Sequence, residues 1–328
     1  MKLIIVNDVK ADSLLSNVED EVISRVSTKI MGQHIVARNI ATLKANYKIR
    51  SIEIPHDLYP LKNIILEQFP SIDVLVTRTR SKLQRSSLNE NSSSQPTASN
   101  SKSVTTMEEI DSPSTTTTTT TTIRIPFSSI VYTNEQGNTV IDDIRYPWDF
   151  LKSVQTILGI EVTSTRISPK AKISKTSVID GPCIIEEGVM LDDFCKIKGP
   201  AYIGKNSFIG MGSLIRNCIL EHNTRIGFNC EIGKSYLAGN DRISHHNVIL
   251  DTIIGQNVWF GGYSGTANVL LDRRNVKYKM DNDLIDTGTD HFGSVIGNNC
   301  SIGASVIILP GRKVLPNTQI QAGSIIKN

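Results

Sequence analysis

Branched or large aliphatic side chains return at every sixth position across the second half of the chain. Nine successive hits share one phase: Ile167, Ile173, Ile179, Ile185, Leu191, Ile197, Ile203, Ile209 and Ile215. After single-residue slips the beat resumes at Leu220, Ile226 and Ile232, at Ile243 and Ile249, and at Ile254 and Phe260. It then runs through Ile296, Ile302, Ile308, Val314, Ile320 and Ile326. A helix repeats at about 3.6 residues and a lone strand at about 2, so a period of six is neither. It predicts a parallel β-helix, in which each hexad is one short strand plus a turn and the chain coils around a stack of aliphatic side chains. Four residues after the aliphatic the side chain is small, as at Ala171, Ser177, Cys183, Ser207, Thr224 and Ser324. A large inward residue beside a small one fills a narrow prism without voids. Glycine often follows the aliphatic, as at Gly204, Gly210, Gly227, Gly255 and Gly297, and is expected there to turn the corner with φ > 0.

The first half reads differently. Lys2 to Asn7 predicts a buried strand, Val18 to about Leu43 has helical spacing, and Ser51–Pro55 and Ile72–Thr77 predict strands flanking a helix over Leu61–Phe69. Alternating elements of this kind imply a small α/β unit with a parallel sheet. The turn after the first strand, Asp8 to Asp12, contains no glycine. From Ser81 to Thr122 the composition shifts to Ser, Thr, Asn and Gln, ending in threonines 115–122, which predicts a disordered, solvated insertion. Strands return at Ile123, with a turn at Glu135–Asn138, and a short helix ending at Leu158 leads into the repeats. The expected division is an α/β unit over 1–80, the insertion over 81–122, completion of the unit over 123–160, and the β-helix over 161–328, with an excursion at 261–295.

Charge and cysteine content narrow the classes. The 35 basic and 32 acidic residues leave a net charge of +3, which gives no footprint for nucleic acid or an anionic membrane surface. No apolar run approaches the roughly 20 residues needed to span a bilayer. All five cysteines, Cys183, Cys195, Cys218, Cys230 and Cys300, occupy the small inward column and form no CxxC pair. They read as small buried hydrophobes in a reducing, cytoplasmic setting, with no metal expected.

The hexads fail over the long stretch between Phe260 and Ile296, which carries Asn268, Arg273, Arg274, Lys277, Lys279, Asp290 and His291. Long excursions from rigid scaffolds tend to carry function, and this set suits a phosphate or a nucleotide-linked sugar. The bland alternative is a solvated loop covering the prism. Just before it stand His245 and His246. On an extended strand they would point to opposite faces, leaving at most one to act as a general base.

The two columns resemble the hexapeptide-repeat acyltransferases. That resemblance implies a left-handed β-helix with three hexads per coil, here about seven coils, and a homotrimer with sites in the clefts between prisms. Tyr146-Pro147-Trp148-Asp149 ahead of the prism resembles the closing segment of sugar nucleotidyltransferases, which implies a Rossmann-like N-terminal domain. That family's glycine-rich pyrophosphate loop is absent, since the chain reads NDVKADSLLSNVEDEVISRVSTK there. The domain therefore reads as degenerate, with no nucleotidyl transfer expected.

Arg242-Ile243-Ser244-His245, followed by the run from Phe260 to Asn268 and then by Arg274 and Lys277, resembles the acetyltransferase half of bifunctional sugar-1-phosphate enzymes. The resemblance implies His245 as general base, Asn268 on the sugar, Arg274 and Lys277 on its phosphate, and His291 in the segment returning to the prism and facing substrate. Acetyl-CoA would be the co-substrate, with an N–H near Ala304 steadying the oxyanion and Arg312 and Lys313 either near the adenine end or forming a solvated corner. Val248 stands where the family has a substrate-contacting Tyr. The expected activity is N-acetylation of an amino-sugar 1-phosphate or a nucleotide-linked amino sugar. One alternative is a non-catalytic scaffold or regulatory subunit of a sugar nucleotidyltransferase. Another is a zinc site using His222, His245, His246 and His291, against which the family's short His-x4-His spacing is missing.

Overall fold

In a computed structural model, which describes residues 2–6, 29–55, 61–77, 122–126, 129–280 and 283–327, the hexads build three eight-stranded parallel sheets. These are the faces of a prism. The first face runs from Arg166–Ile167 to Arg312–Val314, the second from Lys172–Ile173 to Gln319–Ile320, and the third from Val178–Asp180 to Ile325–Ile326. The prism therefore has eight coils, not seven. The aliphatic count fell short because Leu237 follows Ile232 after only five residues, and because Thr266 fills the last inward place of the sixth coil. Leu237 is fully buried, and Thr266 accepts hydrogen bonds from Leu250 N–H at 3.2 Å and Thr252 Oγ1 at 2.8 Å. A hydroxyl held inside the coil replaces a methyl contact there.

The slips have one cause. Gly199-Pro200 turns the corner between the third and first faces in one coil, whereas the single residue Asn217, at φ +52°, does so in the next. Left-handed residues occupy all three corners. Between the first and second faces stand Asn206, Asn223, Asn240, Asn257, Asn299 and Asn317, with φ from +56° to +60°. Asn tolerates this region better than other residues carrying a Cβ. Here its amides also form a ladder: Asn223 Nδ2 donates to Asn240 Oδ1 at 2.9 Å, Asn257 to Asn299 at 3.0 Å and Asn299 to Asn317 at 3.1 Å.

The glycines that follow the aliphatics do not turn with φ > 0, contrary to expectation. Their role is clearance. A Cβ on Gly204 would come 2.7 Å from His222 N, and one on Gly303 would come 2.4 Å from Ala322 N. The left-handed position lies two residues further on, at the asparagines.

The N-terminal unit has a parallel sheet in the order Asp73–Thr77, Ser51–Pro55, Lys2–Val6, Thr122–Pro126. Helices span Ile35–Asn46 and Leu61–Gln68. The predicted helix from Val18 begins only at Ile35 among the described residues. Lys29–Ile30 and Gln33–His34 instead form a hairpin, because Met31 (φ +50°) and Gly32 (φ +77°) reverse the chain. The predicted insertion lies outside the described residues, apart from Thr122, which begins a strand. A second hairpin pairs Ser129–Thr133 with Thr139–Asp143. The helix Pro147–Glu161 begins with Asp149 accepting from Tyr146 N–H at 2.9 Å.

This helix covers the first face. The outward residues of that face, Tyr202, Ile219, Tyr236, Ile253 and Val295, are buried against Phe150, Leu151, Val154 and Leu158. At the junction Glu221 is fully buried; its Oε2 accepts from Gly32 N–H at 2.9 Å, and Tyr236 Oη donates to Lys29 O at 2.5 Å. Burial pushes the Glu221 carboxyl up to about 7, against the opposing pull of the Gly32 hydrogen bond. Asp241, buried inside the prism, is raised in the same direction by the same cause.

Between the unfolded value of 4.5 and about 7, the folded chain holds a proton on Glu221 that the unfolded chain has lost, so this group's contribution falls as pH rises through that window. Urea unfolding at pH 5 and pH 8 should show Glu221→Gln losing less stability than the parent across the interval; an identical slope in both would refute this. At the corner ladder, Asn240→Ala is expected to cost about 1–2 kcal/mol and Asn240→Gly clearly less, since only Ala is strained at φ +59°. Thiol titration of the native chain should find all five buried cysteines slow to react, with burial holding Cys218 at about 12.

Candidate active site

The corner between the second and third faces carries the first predicted residue. His245 stands in the turn after Arg242–Ile243, not on a strand, and its side chain is exposed. Its Nδ1 accepts the backbone N–H of Phe228, one coil earlier, at 2.9 Å. A neutral imidazole with Nδ1 accepting carries its hydrogen on Nε2, so in this rotamer the ring presents a donor outward. His246 has φ +57° and is the left-handed residue of the corner. Its ring stacks on Tyr263 at 4.7 Å between centroids and meets Phe228 edge-on at 5.0 Å. The two histidines therefore do not alternate across a strand. One lies in a corner stack and the other projects beside it.

One coil beyond His245 come Gly261, Gly262 and Tyr263, tied back by Tyr263 N–H donating to His245 O at 3.0 Å. Ala304 is on the same corner one coil further still, where Ser305 N–H donates to Gly262 O at 2.9 Å. With strands about 4.8 Å apart, the backbone of Gly262 is one spacing from that of His245 and the backbone of Ala304 two. The Gly262 backbone therefore lies nearer to His245 than that of Ala304 does. Sequence reading missed both Gly262 and Tyr263, which is 66% exposed. Their signal was the 17-residue step from Asn229 through His246 to Tyr263, hidden by attention to sixes.

The excursion leaves from the next corner. Gly261–Thr266 still belong to the sixth coil and Ser294–Ile296 to the seventh, so it spans 267–293 and not 261–295. It replaces the single corner residue seen at Asn217, Lys234 and Asp251. Asn268 takes the next place in that column and donates to Asp251 Oδ2 at 2.6 Å; its carbonyl accepts from Phe292 N–H at 2.9 Å. A hairpin, Lys277–Met280 with Asp283–Asp286, forms its middle. Val276, Tyr278 and Phe292 bury it against the first face, where Trp148 meets Tyr278 and Phe292 edge-on at 5.8 and 6.0 Å.

Its charged residues lie on the outside. Arg274 is exposed and paired with Asp272, Nε to Oδ2 at 2.7 Å, which lowers the Asp272 carboxyl. Lys277 is exposed on the hairpin. His291 Nδ1 lies 2.7 Å from Asp290 Oδ1, and that contact lowers the Asp290 carboxyl. Arg312 and Lys313 belong to the last strand of the first face, with Arg312 Nε donating to Lys327 O at 2.5 Å.

The structure thus groups His245 with Ala304 on one corner and Asn268 with His291 on another, with Arg312 and Lys313 on the first face, which starts from the Asn268 corner. Among the described residues no helix is long and apolar enough to cross a membrane.

Three parallel faces wound from hexads, with an exposed imidazole at a corner, define a hexapeptide-repeat transferase scaffold. The family model described as "Bacterial transferase hexapeptide (six repeats)" matches residues 182–217. The chain is 30% identical over 171 residues to YaiX of Escherichia coli K12, named as an uncharacterized acetyltransferase, covering 52% of this chain and 73% of that one. It is 35% identical over 188 residues to the bifunctional protein GlmU of Methanococcus aeolicus, covering 57% of this chain and 44% of the relative. A third relative is the bifunctional sugar-1-phosphate nucleotidylyltransferase/acetyltransferase of Sulfurisphaera tokodaii, 31% identical over 185 residues, 56% of this chain and 45% of that one. The chain belongs to the hexapeptide-repeat transferase family, and it spans less than half the length of these archaeal relatives.

Proposed function

We propose that the chain is an acetyl-CoA-dependent N-acetyltransferase whose acceptor is an amino-sugar 1-phosphate or a nucleotide-linked amino sugar. The observation that carries this reading is the His245 corner, where an exposed imidazole lies one coil from the Gly262 N–H. In the reaction the acceptor's amine attacks the thioester carbonyl, the C–N bond forms, and collapse of the intermediate breaks C–S and releases the CoA thiol. The amine's proton passes to His245, which delivers it to the departing sulfur. Gly262 N–H meets the developing oxyanion. Ala304, one coil further, lies along the path of the CoA arm, with Arg312 and Lys313 at its adenine end.

Nε2 can take the amine's proton only in the tautomer that carries its hydrogen on Nδ1, so the productive ring is one that has left the Phe228 N–H. Arg274 and Lys277 hold the phosphate and Asn268 the sugar, with Asp251 fixing its amide. His291, held by Asp290, faces the acceptor. In this reading the working unit is a homotrimer with each site in a cleft between neighbours, which would bring groups on separate corners together. The N-terminal unit performs no nucleotidyl transfer, and the enzyme works in the cytoplasm.

A specific observation favours a second reading, a non-catalytic scaffold for a sugar nucleotidyltransferase: the His245 lone pair at Nδ1 is already engaged by backbone. Acetyl-CoA turnover with glucosamine 1-phosphate, galactosamine 1-phosphate and a UDP-linked amino sugar separates the two. His245→Ala should lower kcat about 10²–10⁴-fold with little change in KM, the usual contribution of a positioned base. Absence of turnover in the parent chain with every acceptor supports the scaffold.

A further inference from the structure

A cavity of about 420 Å³ opens between the N-terminal unit and the first coils, on the face of the prism away from the His245 corner. Its volume lies within the roughly 300–1,000 Å³ of small-molecule sites. Nothing in the acetyl-transfer reading uses it. Met31, Ile167 and Ile184 give it an apolar floor, while Gln33, Arg38, Glu161, Arg166, Glu186 and Tyr202 supply polar groups.

Two of these side chains are more than nine-tenths buried, and one of them, Arg38, holds a buried atom with no partner among the described residues. Tyr202 is 3% exposed and lines the cavity, with burial raising its phenol well above the ordinary value. Arg38 is 6% exposed and pairs with Glu161 through one terminal nitrogen, while its Nε has no partner among the described residues. A buried donor left unsatisfied costs about 1–3 kcal/mol, so chains seldom retain one without a use. Gly32 leaves room for the phenol, since a Cβ there would come 3.0 Å from Tyr202 Oη.

The charge pattern selects the ligand. Arg38 and Arg166 are balanced by Glu161 and Glu186, and the buried Glu221 lies close enough to Arg38 to act on it electrostatically. No net positive field remains to hold a phosphate, and two carboxylates would repel it. Alternating donors and acceptors above an apolar floor match a ring that carries hydroxyls at its edge and C–H groups on its face.

We propose that this cavity binds an uncharged, polyhydroxylated molecule one sugar ring in size, and that the bound ring ties the N-terminal unit to the first coils. Tyr202 Oη and the Arg38 side chain hold its hydroxyls, with Glu186 accepting from them. The site is separate from the acetyl-transfer site and does not depend on that reading.

Ligand-observed NMR on the full chain tests it, with N-acetylglucosamine as probe and N-acetylglucosamine 1-phosphate and inorganic phosphate as comparison arms. The free sugar is expected to bind, to bind about five-fold more weakly to Tyr202→Phe, the loss of one net hydrogen bond, and to bind undiminished to His245→Ala. Tyr202→Phe removes one hydroxyl and keeps the ring that packs on the first face, so it keeps the fold. Failure of the sugar to bind at tens of millimolar, equal binding to Tyr202→Phe, or displacement by inorganic phosphate alone would each overturn the proposal. Loss of binding in His245→Ala would assign the sugar to the corner site and overturn it as well.

Discussion

Everything in the prism depends on how closely one coil may lie on the next. Backbone N–H groups of each coil donate to carbonyls of the following one, as Gly204 N–H does to Leu220 O at 2.7 Å and Gly227 N–H to Ile243 O at 2.8 Å. At that separation there is no space for a side chain at certain turn positions, so glycine stands there. The inward residues must then stack on themselves: Ile185, Ile203, Leu220, Leu237, Ile254, Ile296 and Val314 form one such column, each at most 4% exposed. Such a stack is buried because its neighbours above and below are present, so the end coils, with Ile320 and Ile326 only partly covered, are the softest part.

The same constraint places the polar anomalies. Inward positions that are not aliphatic carry groups able to bond the turn beside them. Ser213 donates to Gly227 O at 2.8 Å and accepts from Cys230 N–H at 2.9 Å, and Asp241 takes the N–H groups of Gly239 and Val258 at 3.1 and 2.9 Å. The outside of the first face, by contrast, is apolar at its centre, and there the helix Pro147–Glu161 and the excursion find their seat. Among the described residues the prism thus has one face covered by a helix and the excursion, and two without such a cover.

The inward columns, the buried cysteines and the small α/β unit were legible in the sequence because each rests on periodicity. Leu237 and Thr266 were not, since a five-residue step and a polar side chain both break the template of large residues at sixes. Apart from the gap left by the excursion, the corner asparagines recur at steps of 17 and 18, a period that emerges only once coils are aligned, and the glycines two places before Asn206, Asn257 and Asn299 drew the φ > 0 role instead. His245 was legible as a residue, but its hydrogen bond to Phe228 N–H, which sets the tautomer, depends on the coil below. The pairing of Asn268 with Asp251 likewise joins residues 17 apart that are neighbours only across coils.

The excursion enters and leaves the prism at one edge, where a lone residue serves elsewhere. Ala267 N–H still donates to Ile308 O at 2.9 Å, and Ile253–Ile254 pair with Val295–Ile296 as though no chain had intervened. The scaffold is therefore indifferent to how much is spliced in at that edge. New surface chemistry can be acquired or discarded there by insertion alone, while the aliphatic stack, and with it the folding of the domain, stays untouched.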